Sequence, residues 1–326
     1  MYESKLDLIE TQRAIKIVKD FFENALAKNL NLIRVSAPLF VYDKSGLNDD
    51  LTGVEKPVGF TFNKEGVSIV QSLAKWKRMA LKDYGFKEGI GLYTDMNAIR
   101  KDEIVDNIHS IYVDQWDWEK VINREDRNLN TLKTTVKHIF NAFKETENLI
   151  TTIYPNLVNY FGDDIYFISS SDLKDKYPAL DAKEREHAIC REHKCVFIYQ
   201  IGGKLRNSNE MHDYRAPDYD DWDLNGDILV NYPPLNRSVE LSSMGIRVDD
   251  KALRFQLKER HQEEKMNLPF HKALLNNELP FTIGGGIGKS RLCLVMLNKI
   301  HIGEVQSSLW TEEEIARCEK LNIKLL

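Results

Sequence analysis

The chain has 326 residues, of which 42% are hydrophobic and 29% are charged, a composition typical of a globular protein with a sizeable core. Its 45 Lys and Arg against 50 Asp and Glu give a formal net charge of −5, which argues against binding to nucleic-acid phosphates. No segment has the apolar length of a membrane span, the charged N-terminus lacks a signal-peptide apolar region, and four cysteines define no disulfide framework. We therefore expect a cytoplasmic protein with no nucleic-acid or membrane partner.

Hydrophobic periodicity and turn residues divide the chain into helices and strands. The elements predicted up to residue 205 are helix 5–29, strand 30–40 interrupted at Pro38, a strand and helix within 66–84, strands 89–100 and 109–119, helix 129–152, and an α/β stretch ending at 194–205. After an acidic loop at 212–227 come strands 227–232 and 238–248, helix 251–276, and strand 281–288 leading into helix 289–299. Short connections between adjacent strands favour an α+β fold, a mainly antiparallel sheet flanked by helices, in a single domain over residues 1–326.

The segment FTIGGGIGKS, residues 281–290, raises the question of a phosphate-binding P-loop. A P-loop needs four residues between its first Gly and the Gly-Lys-Ser/Thr triplet, but position 283 is Ile and Gly284 is one residue too close. One missing residue changes which backbone N–H groups surround a phosphate. The P-loop interpretation therefore fails, and the glycines need another explanation.

Gly284, Gly286 and Gly288 alternate, which would leave one face of a strand without side chains, so that a planar ring could lie on the exposed backbone. Arg291 follows at the start of a helix, where its guanidinium could reach a phosphate. The alternative is close strand packing beside a surface arginine. The residues of this segment, taken alone, leave both interpretations open.

Two other segments carry metal-like patterns. Residues 221–226 begin like an EF-hand loop, but its twelfth position is Tyr232 in place of the bidentate Glu, so we reject a calcium site and interpret LNG as a turn. The segment HAICREHKC, residues 187–195, offers two His and two Cys. Because its spacing fits no zinc finger and no second ligand pair follows, a zinc site there is the less favoured interpretation.

The pattern G-x-G-x-G-x-x-R-L at 284–292 resembles motif 3 of the class II aminoacyl-tRNA synthetases. IRKDE at 99–103 resembles their motif 2, in which an Arg at a strand end meets the α-phosphate, and His109 is expected to begin the returning strand as in that family. Helix 5–29 and the strand ending at Pro38 resemble motif 1, the dimer element. The resemblance implies that family's catalytic-core fold, an adenine site on the glycine strand and a homodimer.

Two further segments resemble aspartyl-tRNA synthetases. QSLAKWKR at 71–78 is similar to their QSPQLYKQ, which places Lys77 on a substrate-contacting lysine. GDILV and VELSSMGIRV resemble their YDLVLNG and EIGGGSIRI, which places Asp227, Glu240 and Arg247. Five segments in the right order, spread from residue 5 to 299, are more specific than any one of them.

An aspartyl- or asparaginyl-tRNA synthetase would carry an anticodon-binding β-barrel ahead of motif 1, whereas motif 1 starts at once in this sequence. Nearly the whole chain, including YVDQWDWE, RAPDYDDW, LNGDILV and ELSSMGIRV, is similar to the ammonia-dependent asparagine synthetases, the aspartate–ammonia ligases. The alternatives are a tRNA ligase without its anticodon domain, against which the net charge counts, and a catalytically silent ligand sensor. Intact Arg100, Glu103 and Arg291 argue against a sensor.

The resemblance to the ligases implies that ATP activates the side-chain carboxylate of L-aspartate as β-aspartyl-AMP, after which ammonia displaces AMP to give asparagine. It assigns the nucleotide to Arg100, Glu103, His109, Gly286, Gly288 and Arg291, and Mg²⁺ to Asp227, Glu240 and Ser243. Candidates for binding aspartate and its ammonium group are Lys77, Gln115, Asp117, Arg247 and Ser72. The candidates for catalysis are Arg100, Asp49 and Asp220, of which Asp220 could attract ammonium and accept its proton.

Overall fold

The computed structural model describes residues 2–51 and 55–326, which form a large sheet with helices on both faces and a small sheet beside it. The helices of the described residues are α1 (Leu8–Leu30), α2 (Ala74–Asp83), α3 (Leu129–Ile153), α4 (Ser170–Lys176), α5 (Ala182–His193), α6 (Asp250–Glu259), α7 (Pro269–Leu275), α8 (Lys289–Met296) and α9 (Glu312–Leu321). The strands are β1 (Leu32–Arg34), β2 (Phe40–Tyr42), β3 (Gly59–Phe62), β4 (Glu65–Ile69), β5 (Gly91–Ile99), β6 (Tyr112–Val121), β7 (Tyr166–Ser169), β8 (Cys195–Tyr199), β9 (Asp220–Tyr232), β10 (Arg237–Arg247) and β11 (Thr282–Gly288).

The large sheet has the strand order β1-β5-β6-β11-β10-β9-β8-β7. The pairs at its two ends, β1 with β5 and β7 with β8, are parallel, and all the pairs between them are antiparallel. In the small sheet, β2 and β3 both pair antiparallel with β4. The mainly antiparallel sheet therefore agrees with the sequence-based prediction.

The first helix shows how the core is assembled. Asp7 caps it by accepting a hydrogen bond from the backbone N–H of Glu10, and Asn31 ends it in the left-handed conformation. Its buried face includes Val18 and Phe22, and the Phe22 ring lies 4.8 Å from that of Trp116 on β6. This contact fixes α1 on the apolar face of the large sheet.

The two faces of the large sheet have different chemistry because side chains alternate along each strand. Trp116 and Trp118 of β6 are fully buried in the main core, which also contains Phe22 of α1 and Phe143 of α3. The residues between and beside them, Gln115, Asp117 and Glu119, point to the opposite face, where α2 packs. The polar face is the one that carries the candidate site.

The structure corrects four sequence-based boundaries. The strand predicted over 30–40 is two short strands in different sheets, and the helix predicted over 251–276 is interrupted after Glu259, since His261 adopts a left-handed backbone and Pro269 starts a new helix. The acidic loop predicted at 212–227 ends earlier, because β9 begins at Asp220. The predicted turn at LNG is wrong, since Gly226 pairs with Met244 and Tyr199 inside the sheet.

None of the helices in the described ranges is long and apolar enough to cross a membrane.

Helix α9 was not predicted from the sequence, although it carries a clear start signal, Thr311 as N-cap followed by three glutamates in the first turn.

Candidate active site

A cavity of about 480 Å³ opens on the polar face of the large sheet. It brings together residues from distant parts of the chain, and most of the residues that the sequence assigns to one site line it: Asp49, Ser72, Arg100, Glu103, His109, Gln115, Asp117, Asp220, Glu240, Ser243, Arg247, Gly286, Gly288 and Arg291. Two assigned residues, Lys77 and Asp227, do not line it. Residues up to 242 positions apart therefore converge, from Asp49 to Arg291.

The floor of this cavity follows from strand register. Directly paired residues of antiparallel strands share a face, so the polar residues of neighbouring strands stand side by side. On β6 and β11, Gln115, Asp117 and Glu119 pair with Gly288, Gly286 and Gly284. On the next strand, β10, Ser243 pairs with Gly286 and Gly245 pairs with Gly284. On β9, Asp227 pairs with Ser243 and Asn225 pairs with Gly245.

The glycines of β11 do not form a uniformly bare surface. Above Gly284 lies the ion pair between Glu119 and Arg247, with 2.7 Å between Oε2 and Nη2. A Cβ on Gly284 would collide with the Glu119 carboxylate and lie 2.7 Å from Arg247 Nη2. The prediction of an open backbone over three alternating glycines is therefore wrong for Gly284, where close packing is the explanation, and for Gly286, over which the Gln115 side chain lies. Gly286 and Gly288 do line the cavity.

Lys77 lies beneath the floor, not on the cavity surface where the sequence-based assignment put it. Its side chain is fully buried, and its Nζ donates to the Asp117 carboxylate, to the Trp118 carbonyl at 2.8 Å and to the Gly285 carbonyl at 3.2 Å. These three bonds use the three N–H groups of an ammonium. In this geometry Lys77 orients Asp117 and neutralises part of its charge.

Two of the four arginines that line the cavity, Arg100 and Arg291, are the ones assigned to the nucleotide. Arg100 stands at the end of β5, and its buried Nε has no hydrogen-bond partner. Arg291, in the first turn of α8, donates to the carbonyls of Ile108 at 3.3 Å and Glu240 at 3.2 Å. These contacts orient the Arg291 guanidinium, and the nearby Glu240 carboxylate balances part of its charge.

The expectation that His109 begins the returning strand is corrected, because β6 starts at Tyr112. His109 belongs to the loop before it, where its Nδ1 lies 2.8 Å from Asp106 Oδ1. Burial alone would raise the pKa of Asp106, but hydrogen bonds from His109 and from the backbone N–H of Ile108 hold it well below its ordinary value. The loop thus presents a histidine held by a carboxylate to the cavity.

Asp227, Glu240 and Ser243 lie on neighbouring strands, as a shared metal site requires, with Asp227 directly opposite Ser243. Asp227 Oδ2 accepts a hydrogen bond from Arg215, while its buried Oδ1 has no partner. Burial raises the pKa of Asp227; Arg215 opposes this increase, and the charge of Glu240 adds to it. Burial would also raise the pKa of Glu240, but Arg291 and Arg215 hold it below its ordinary value. An all-oxygen set with an unpartnered carboxylate oxygen fits a hard divalent cation such as Mg²⁺.

Asp49 and Asp220 are buried carboxyls at the cavity wall. Burial raises the pKa of Asp49 above its ordinary value, with Lys75 opposing the increase. Burial likewise raises the pKa of Asp220, whose Oδ1 is hydrogen-bonded to Arg247. A carboxylate with a raised pKa is a better proton acceptor near neutral pH.

Sequence reasoning did not identify two residues that shape this site. Glu119 accepts hydrogen bonds from Arg247 and from Thr282 Oγ1, the latter at 2.7 Å, and the period-2 pattern QWDWE was a signal that could have found it. Arg215 lines the cavity between Asp213 and Asp227, and it lies in RAPDYDDW, a segment that the resemblance had already singled out.

The histidines and cysteines of residues 187–195, all of them described, do not form a group with metal-binding geometry. His187 Nδ1 lies 2.8 Å from Ser238 Oγ, His193 stacks on Tyr166, and the two cysteines are buried in the apolar cores. The less favoured zinc interpretation therefore has no geometric support.

Residues 9–322 match the family model described as aspartate–ammonia ligase. An aspartate–ammonia ligase of Clostridium perfringens is 60% identical over 328 residues, which cover 100% of this chain and 97% of that one. A Fusobacterium nucleatum relative of the same name is 58% identical over 326 residues, covering 100% of this chain and 99% of its own. The chain belongs to the aspartate–ammonia ligase family.

Solved structures show the fold to which this ligase is similar. The asparaginyl-tRNA synthetase of Pyrococcus horikoshii, complexed with asparaginyl-adenylate, aligns with a TM-score of 0.67 at 14% identity over 91% of this chain and 68% of that one. The aspartyl-tRNA synthetase of Entamoeba histolytica aligns with a TM-score of 0.63 at 12% identity over 91% of this chain and 57% of that one. The prediction of a class II synthetase-like α+β core and that of an aspartate–ammonia ligase are both confirmed.

Proposed function

We propose that this ligase uses ATP to join L-aspartate and ammonia through a β-aspartyl-AMP intermediate, with release of AMP and pyrophosphate. The observation that carries the proposal is the arrangement of charges along one cavity. Arg291 donates to the carbonyl of Glu240, which lies near the start of β10. Arg247 is the last residue of β10, and in an extended strand it lies roughly 20 Å from Glu240. A cavity of this length accommodates a nucleotide and an amino acid end to end on the sheet.

In the first step an oxygen of the aspartate side-chain carboxylate attacks the α-phosphorus of ATP, and the bond to pyrophosphate breaks. Negative charge moves to the leaving oxygens, so positioned cations lower the barrier. Arg100 would neutralise the α-phosphate and the attacking carboxylate, and Arg291 the departing pyrophosphate. Gly286 and Gly288 would lie under the adenine, and Glu103 and His109 would complete the nucleotide site.

The amino-acid end of the cavity contains a fixed array of opposite charges. Arg247 is buried and paired with Glu119 and Asp220, and Asp117 is held by Lys77. We propose that Asp117, Gln115 and Ser72 bind the ammonium and carboxylate groups of aspartate, while Arg247 and Lys77 set the charge balance of the pocket. A preorganised pocket of this kind binds the substrate without rearrangement at the moment of reaction.

In the second step ammonia attacks the side-chain carbonyl carbon of the mixed anhydride, and AMP leaves. Ammonium from solution must first lose a proton, and a buried carboxylate with a raised pKa suits this task. Asp49 fits the role better than Asp220, because the two carboxylates have different hydrogen-bond donors. Asp220 accepts from the positively charged Arg247, whereas Asp49 accepts from the uncharged Leu51 backbone N–H at 3.0 Å.

Mg²⁺ would be held by Asp227, Glu240 and Ser243, and when bound it would neutralise the charge that develops on the phosphates. Its presence is part of the proposal, supported by the oxygen donor set and by the unpartnered Asp227 Oδ1.

Product analysis by ³¹P NMR tests the proposed chemistry. With ATP, Mg²⁺, aspartate and ammonium, we expect stoichiometric AMP, pyrophosphate and asparagine. Stoichiometric ADP and phosphate would contradict adenylate formation. Omitting ammonium should reduce the reaction to at most one enzyme-bound adenylate per site.

We further propose that the ligase is a cytoplasmic homodimer built on α1 and the chain that leads to Pro38. Apolar side chains around this region are half exposed, including Ile33, Leu39, Phe40, Phe60 and Phe62. Two of them, Phe40 and Phe60, are in contact, and exposed apolar side chains grouped in this way are typical of a protein–protein contact. Four free, buried cysteines support a reducing compartment.

A further inference from the structure

Arg215 separates the cavity from one of the proposed metal ligands. It lines the cavity, whereas Asp227, to which its Nη2 donates, does not. Its Nη1 donates to Asp213 Oδ2 and to the Tyr214 carbonyl, both at 3.1 Å. The guanidinium is only 14% exposed, so it is held against Asp227 by contacts on two sides.

The carboxylates around Arg215 need a positive charge at this position. Asp227 is buried, Glu240 is half-buried, the two raise each other's energy as charged groups, and Asp213 adds a third negative charge. Arg215 lies within the field of all three, whereas Arg291 acts on Glu240, and Lys183 acts on Glu240 and Asp213. Arg215 is therefore the cation that neutralises Asp227.

A divalent cation that approaches from the cavity cannot reach Asp227 Oδ2 while Arg215 donates to that oxygen. If the cation enters, its two positive charges replace the single charge of Arg215, and the guanidinium is released. ATP bound to one Mg²⁺ still carries a formal charge of about −2, which attracts a bidentate arginine at the same spot.

We propose that Arg215 is a movable counter-ion, which pairs with Asp227 in the free enzyme and turns to the phosphates of ATP when the metal–nucleotide complex binds. This inference rests on the proposed function, since it places ATP and a divalent cation in the cavity. It makes Arg215 a competitor of the metal and a ligand of the nucleotide at once.

Loss of Arg215 should therefore change the two affinities in opposite directions, with tighter binding of the metal and weaker binding of the nucleotide. Arg215→Gln should bind Mn²⁺ alone, measured by electron paramagnetic resonance, about tenfold more tightly than wild type, and should bind ATP in the presence of Mg²⁺, measured by calorimetry, at least about tenfold more weakly. Arg206→Gln removes an exposed arginine paired with Asp172 and Asp175, and should change neither affinity. Arg215→Lys keeps the positive charge but lacks the planar guanidinium with its paired N–H groups. It should shift both affinities in the same directions as Arg215→Gln, but by smaller factors.

Weaker binding of both Mn²⁺ and ATP to folded Arg215→Gln would overturn the counter-ion role, because a purely structural arginine affects the two alike. Unchanged Mn²⁺ affinity would overturn it as well. If Arg215→Gln does not fold, the same readouts on Arg215→Lys decide. Product analysis of the wild type separates this inference from the proposed function: a wild type that forms AMP while the variant fails these criteria refutes only the role of Arg215.

Discussion

Glu119 and Arg247 form an ion pair across β11 in the space left by the missing side chain of Gly284. Glu119 accepts from Arg247 Nε at 2.9 Å and from Nη2 at 2.7 Å, and its carboxylate also lies 3.6 Å from Lys77 Nζ. Arg247 continues the chain of charges to Asp220. Gly284 belongs to the segment that resembles a nucleotide-binding motif. It therefore also makes room for the charges that organise the amino-acid end of the cavity.

Glu119→Gln should destabilise the protein strongly at pH 7. The substitution leaves Lys77 and Arg247 buried with one fewer negative charge between them, and breaking a buried pair in this way costs about 3–5 kcal/mol. The free energy of unfolding in urea measures the loss. The control Glu278→Gln removes a carboxylate from an exposed pair with Lys82 and should leave that free energy nearly unchanged.

The same substitution makes a prediction about pH. Burial would raise the pKa of Glu119, but Arg247 and Lys77 hold it below its ordinary value of 4.5. A lowered pKa in the folded state means that the stabilisation is complete above pH 4.5 and is lost as the pH falls below it. The difference in unfolding free energy between wild type and Glu119→Gln should therefore shrink between pH 5 and pH 3. A constant difference over that range would contradict the assignment.

Gly284→Ala should disrupt the site through a single methyl group. The new Cβ would collide with the Glu119 carboxylate, and overpacking of this kind costs about 1–3 kcal/mol. We expect a lower melting temperature and a higher KM for aspartate, because Arg247 must move with Glu119. Gly203→Ala is the matched control, since a Cβ there meets nothing within 4 Å. Equal melting temperatures for the two variants would show that the ion pair yields without cost.

Much of the site was predictable from sequence because its residues lie in short motifs of fixed spacing. The glycine strand with Arg291 and the strand end at Arg100 are each recognisable without the fold. The position of Lys77 was not, because only the tertiary structure shows that Asp117 and two carbonyls use its three N–H groups. Burial of a lysine depends on what packs over it, which no local pattern contains.

The start of β9 was missed for a related reason. An acidic run such as DYDDWDLNGD is typical of a loop, since isolated carboxylates are costly to bury. Here Asp220 and Asp221 are paired with Arg247 and Arg127, which are distant in sequence. The break in the helix predicted over 251–276 was readable in part, because Pro269 marks a helix start.

Removal of Arg100 or of Arg291 should impair the chemical step. Arg100→Ala and Arg291→Ala should each lower kcat by on the order of 10²-fold or more, the scale for loss of a preorganised charge stabiliser. The readout is pyrophosphate release at saturating ATP and aspartate. Arg206→Ala, at an exposed position, should retain the wild-type rate. A rise in KM for ATP with unchanged kcat would limit the two arginines to ground-state binding.

The proposed dimer predicts a change of mass on surface substitution. Ile33 and Phe60 are each about half exposed, and replacing both with Asp would place charges in the apolar contact. We expect the wild type to sediment as a dimer at micromolar concentration and I33D/F60D to sediment as a monomer with a native circular dichroism spectrum. Leu309→Asp, at an exposed position outside that region, should remain dimeric. A monomeric and fully active wild type would refute the dimer.

The nitrogen donor should be ammonia and not glutamine. An enzyme that uses glutamine needs a reactive cysteine to form a thioester and release ammonia. The four cysteines are all buried, burial raises the pKa of each thiol, and none of the four lines the cavity. Such thiols are protonated near neutral pH and are poor nucleophiles.

Cys318 has a histidine close by, since its Sγ, a ring nitrogen of His301 and a carboxylate oxygen of Glu314 lie within 4.8 Å of one another. That histidine is already engaged on both sides. Its Nδ1 accepts from the Gly303 backbone N–H at 2.9 Å, and its Nε2 lies 2.7 Å from Glu314 Oε1. It is therefore not available to take a proton from the thiol, and the arrangement stabilises the chain around α9.

Replacing all four cysteines with alanine should leave ammonia-dependent synthesis intact in any folded product. Cys318→Ala alone is the milder variant, because it removes the thiol next to His301 and leaves the other three cysteines in place. The decisive measurement is asparagine formation from ammonia-free glutamine by the wild type. Because no thiol can form the thioester, we expect turnover far below that with ammonium, and comparable rates with the two donors would overturn the assignment.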